Sequence, residues 1–94
     1  MNTLPAQMSN SGGTWHLFVP LMNASVWPAH DWARSAPAPT VAERERALND
    51  LGYESAPGHH WIWTEDSEIY DDPTSSVRLI ATVLIAPRVL GGAS

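Results

Sequence analysis

Five carboxylates, Glu65, Asp66, Glu68, Asp71 and Asp72, fall close together with no basic residue among them. Oxygen ligands crowded on a flexible loop are what a hard divalent cation takes. Their spacing departs from the EF-hand loop, and the glycine that permits its sharp turn is missing. The expectation is therefore a solvated charge run, whose like charges keep a hairpin soluble and repel wrong partners. Just upstream, His59 and His60 could act as metal ligands or general bases near neutral pH. Adjacent side chains on an extended chain point to opposite sides, so the two cannot readily share one ion. His16 and His30 are distant in sequence, and no Ser-centred elbow or Gly-rich phosphate loop accompanies any of them. No catalytic residue, metal ligand or cofactor is expected.

The remaining chemistry is stacking. Trp61 and Trp63 share one side of an extended segment, where indoles can stack on bases or sugars. A nucleic-acid groove sets clustered Lys and Arg beside its aromatics, and here the neighbouring charge is negative. Core packing or a protein interface is the expectation for both. Arg44 and Arg46 lie in a helical pattern and read as i,i+4 partners on a solvated face. Asn23-Ala24-Ser25 fits a glycosylation acceptor, but no secretion signal supports it.

The chain has 94 residues, which suits a single domain over 1–94 with partly flexible ends at 1–13 and 89–94. A chain of that length buries only about 60–65% of its unfolded surface, so its stability is expected to be marginal. Five tryptophans, each able to bury on the order of 200 Å², either offset the small core or mark a shared interface. The net charge is -5, from ten acids and five arginines; outside the acidic run the two signs balance. That distribution disfavours direct binding to nucleic acid or to an anionic membrane. Cysteine is absent, which excludes disulfides, thiol nucleophiles and Cys-ligated metals. With no basic-then-apolar leader and no apolar run long enough for a bilayer, a cytoplasmic protein is expected.

The elements that must position these residues are few. Leu4–Met8 reads as a short edge strand weakened by Pro5. In Thr14–Leu21, Trp15, Leu17, Val19 and Leu21 share one face, with His16 and Phe18 on the other. Met22–Pro39 is irregular and proline-rich, a loop pinned by Trp27 and Trp32. Thr40 and Glu43 form a capping box for a helix over Thr40–Leu51 that Gly52 ends. Its apolar stripe is Val41, Ala47, Leu48 and Leu51. After the Pro57-Gly58 turn, His60–Glu65 and Ser76–Pro87 form a hairpin around the acidic loop. The last strand is apolar on both faces, as a central strand is.

The order expected is ββαββ: a small α+β domain with an antiparallel sheet of about four strands and one helix on one face. One helix covers one face, so Ile80 and Leu84 on the other remain uncovered. Exposed apolar surface of that kind points to a partner, and a second copy of the chain is the simplest one.

The segments AQMS (Ala6–Ser9), PTVAERERAL with DLGYE (Pro39–Glu54), PG, W and WTED within Pro57–Asp66, and DDPTS with RLIA within Asp71–Ala81 resemble a family of small uncharacterised actinobacterial (Streptomyces-type) proteins. The resemblance spans nearly the whole chain and implies no catalytic residue. The absence of lysine fits a GC-rich source. The function expected is a non-enzymatic protein-binding module, a small homodimeric adaptor or regulator. Its contacts would be Glu65, Asp66, Glu68, Asp71, Asp72, Trp61, Trp63, Ile80 and Leu84. One competitor is a phage- or mobile-element-type inhibitor mimicking nucleic-acid charge, weakened by the small net charge. Another is a small metal-dependent enzyme or sensor built on His59, His60 and the acidic loop.

Overall fold

Alternation of apolar and polar residues builds the first hairpin, β1 (Leu4–Ser11) and β2 (Thr14–Phe18), seen in a computed structural model that describes residues 3–88. Four further strands and one helix follow: β3 (Ala29–Trp32), α1 (Val41–Asp50), β4 (Tyr53–Ser55), β5 (Ile62–Ser67) and β6 (Val77–Pro87). The protein is thus a small α+β domain with an antiparallel sheet. The sheet has six strands rather than four, in the spatial order β3-β2-β1-β6-β4, with β5 also paired to β6. The additional strands are short: AHDW within the proline-rich stretch and YES after the helix. Neither is long enough to show a period of two, and each is a strand because β2 or β6 offers it a partner.

β6 lies in the interior of the sheet, as its two apolar faces require, with β1 on one side and β4 and β5 on the other. β1 is also interior, which corrects the reading of Leu4–Met8 as an edge strand and places part of the expected loose N-terminus within the sheet. Pro5 is tolerated there for a geometric reason. Its ring nitrogen points away from β6, and β2 pairs only with Gln7–Ser11, so no ladder bond is lost. The expectation for 89–94 lies outside the described residues.

The helix forms as its caps dictate. Glu43 N–H donates to Thr40 Oγ1 at 3.1 Å, and Thr40 N–H donates to Glu43 Oε1 at 2.9 Å. Gly52, with φ +95°, takes the left-handed turn that ends it. The buried face differs from the expected stripe, since Val41 is 54% exposed while Arg44, Ala47 and Leu48 are buried. Leu48 and Ala47 pack on Ala6, Met8, Trp15, Leu17, Val19, Ala81, Val83 and Ile85, which form the core on one side of the sheet. Among the described residues the other side has no helix.

Candidate functional site

The register assigns every strand residue to a face. On the helix side, Trp63 pairs with Ala81, Glu65 with Leu79, and Trp15 with Trp32. On the helix-free side, Ile62 pairs with Thr82, Thr64 with Ile80, Gln7 with Phe18 and Pro5 with Leu84. Ile80 is half-buried on that face, while Leu84 is 37% and Ile62 63% exposed. Part of the face is covered by the long connection. Trp27 stacks on Phe18 with 5.8 Å between ring centroids, and its Nε1–H donates to the Leu21 carbonyl. Trp27 is therefore one of the aromatic pins expected in Met22–Pro39. His16 Nδ1 lies 2.9 Å from Asp31 Oδ1 on the same face, and this bond raises the His16 pKa above its usual value.

The acidic residues do not form one loop. Glu65 and Asp66 belong to β5, where they face opposite sides, and only Glu68, Asp71 and Asp72 lie in the connection. The strand outlasts the expected boundary because pairing with Arg78 and Val77 continues through Asp66 and Ser67. Asp72 is committed locally: Thr74 N–H and Oγ1–H both donate to its Oδ1, which lowers its pKa. Among the described residues no three His, Asp or Glu side chains come close enough to hold a metal ion.

Trp61 and Trp63 meet a residue that periodicity had assigned to solvent. Arg44 is 5% exposed, and its guanidinium carbon lies 4.9 Å from the Trp61 ring centroid and 5.3 Å from that of Trp63. Its Nε–H donates to the buried Pro39 carbonyl at 3.0 Å, and Nη1 is buried without a partner. Burial pushes the guanidinium pKa down, against a smaller upward pull from Glu45. Helical geometry explains the placement, because Arg44 stands one turn before Leu48 on the side that faces the sheet. A long stem can lie in a core position while its planar head stacks on indoles. The solvated face expected for Arg44 and Arg46 holds only for Arg46, which is exposed.

Beside Arg44, Glu45 accepts hydrogen bonds from the Ser55 hydroxyl and from Trp61 Nε1–H, the latter at 3.0 Å. These groups border an open hollow of about 400 Å³ between α1 and the turn that leads into β5. His59 and His60 complete its rim. The sequence pointed to both tryptophans and both histidines. It missed Arg44, Glu45 and Ser55 as their neighbours, and the only available signal was that Arg44 and Leu48 are four residues apart.

No helix among the described residues is long and apolar enough to cross a membrane. No curated protein and no solved structure matches the chain. A family model described as a family of unknown function (DUF6303) matches residues 2–93, and the chain belongs to that family.

Proposed function

We propose that this member of a family of unknown function is a non-enzymatic protein-binding module, a small adaptor or regulator that associates with a second copy of itself. The observation that carries the reading is the helix-free side of the sheet, where Ile62 and Leu84 are exposed beside half-buried Ile80. Apolar side chains adjoining on a flat face lose water when a matching face covers them, at about 25 cal/mol per Å² of apolar surface. A two-fold axis supplies a matching face without a second gene product. The open edge of β5 is a poorer contact. Its outward backbone groups, those of Trp63, Glu65 and Ser67, stand beside two carboxylates that discourage strand addition. In this reading Glu65, Asp66, Glu68, Asp71 and Asp72 set which partners are refused. The site of action proposed is the cytoplasm, and the source proposed is actinobacterial, supported by the absence of lysine.

Size-exclusion chromatography with light scattering tests the proposal directly. The expected mass is that of two chains at micromolar concentration; one chain at every concentration tested removes the homodimer.

A further inference from the structure

The hollow beside α1 has an electrostatic imbalance. Arg44 is buried with its charge, yet among the described residues no carboxylate lies within ion-pair distance of it. The nearest acid, Glu45, directs its carboxylate to Ser55 and Trp61 instead. Nη1 therefore keeps unused donors in a place where an unpaired polar group is costly.

We propose that this hollow binds a small monocarboxylate with a planar apolar body, the carboxylate pairing with Arg44 and the body lying against Trp61 and Trp63. Guanidinium and carboxylate match in shape and can share two parallel hydrogen bonds. A single positive charge, with Glu45 close by, suits a monoanion and repels a dianion such as phosphate. The walls supplied by Val41, Trp61 and Trp63 are apolar, which favours a ligand with an aromatic or branched body over a simple ion. Trp63 is 42% exposed, so part of its indole is open to a ligand in the hollow. The site lies on the helix side of the sheet, so it does not depend on self-association through the opposite face.

Titration of the full chain with benzoate, followed by the indole N–H signals of Trp61 and Trp63 in two-dimensional NMR, tests the assignment. Saturable shifts of both signals with benzoate, and none with neutral benzamide, are the expected result. Equal shifts with benzamide, stronger binding of inorganic phosphate, or no saturable shift at millimolar benzoate each overturn it. Arg44→Met is expected to weaken benzoate binding by about tenfold or more, and undiminished binding to the folded variant also overturns it. Should that variant not fold, the three ligands on the unaltered chain still decide.

Discussion

The indole N–H of Trp61 donates to the Glu45 carboxylate at 3.0 Å, and this bond fastens the helix to the segment that leads into β5. Ser55, in β4, donates to the same carboxylate. One side chain on α1 thus ties β4 to the segment that enters β5. Trp61→Phe keeps an aromatic ring but removes the donor and part of the indole surface over Arg44. A loss of about 1.5–3 kcal/mol is expected, as for a hydrogen bond to a charged acceptor, read as a lower urea midpoint with an unchanged m-value.

Leu48 is fully buried against the sheet, whereas Val41 is 54% exposed. Leu48→Ala is expected to cost about 2–5 kcal/mol through lost burial and the cavity left behind, a large share of the stability of so short a chain. Val41→Ala is expected to change stability by no more than about 0.5 kcal/mol. Equal losses from the two, measured by urea denaturation, would contradict the observed helix orientation.

His16 gives the protein a titration shifted above that of an ordinary histidine. Its Nδ1 faces Asp31 and its Nε2 faces Thr14 Oγ1 at 2.8 Å, so both ring nitrogens have acceptors when protonated. The folded-state pKa is raised above 6.5, chiefly by the Asp31 hydrogen bond. Stabilisation from this group is then complete below pH 6.5 and fades as pH rises through the higher folded value. Both side chains are substantially exposed, which keeps the effect small. Asp31→Asn should move the His16 NMR titration back toward its ordinary pKa and flatten the stability profile in that window. An unmoved titration rules out Asp31 as the cause.

Glu43 behaves in the opposite sense. Arg34 Nη2–H donates to its Oε1 at 2.6 Å, and with the Thr40 backbone bond this lowers its pKa from 4.5 to about 2. The stabilisation it brings is present above pH 4.5 and lost as pH falls through about 2. Arg34→Ala should raise the Glu43 carboxyl pKa, followed by carbon-detected NMR, and reduce the acid-linked loss of stability. A Glu43 titration that Arg34→Ala leaves in place contradicts the pairing.

On the helix-free face, Ile62→Glu and Leu84→Glu should each halve the mass seen by light scattering while leaving the circular dichroism spectrum unchanged. Retention of a dimer in both variants places any self-association elsewhere on the surface.

The features carried by local chemistry were legible in the chain. The Thr40–Glu43 box, the Gly52 stop, the face pattern of Trp15, Leu17 and Val19, and the interior position of β6 each follow from a few neighbouring residues. The hairpin joining Trp63 to Ala81 was legible too, although the strand continues past Glu65 through Asp66 and Ser67, which looked like loop. Acids at a strand end are read as loop by composition, whereas backbone pairing does not depend on the side chain.

The sequence by itself determined the helix and its ends, the alternation of the longer strands, the lack of cysteine chemistry and the clustering of charge. Tertiary structure alone decided that AHDW and YES become strands, that β1 is interior despite Pro5, and that Arg44 rather than Val41 turns inward. Short segments carry too few residues for a period to show, so their conformation is set by the partner edge they meet. Arg44 likewise has no intrinsic preference for the interior. It is drawn there because Trp61 and Trp63, seventeen and nineteen positions further along the chain, bring their ring faces to the place where its stem already lies.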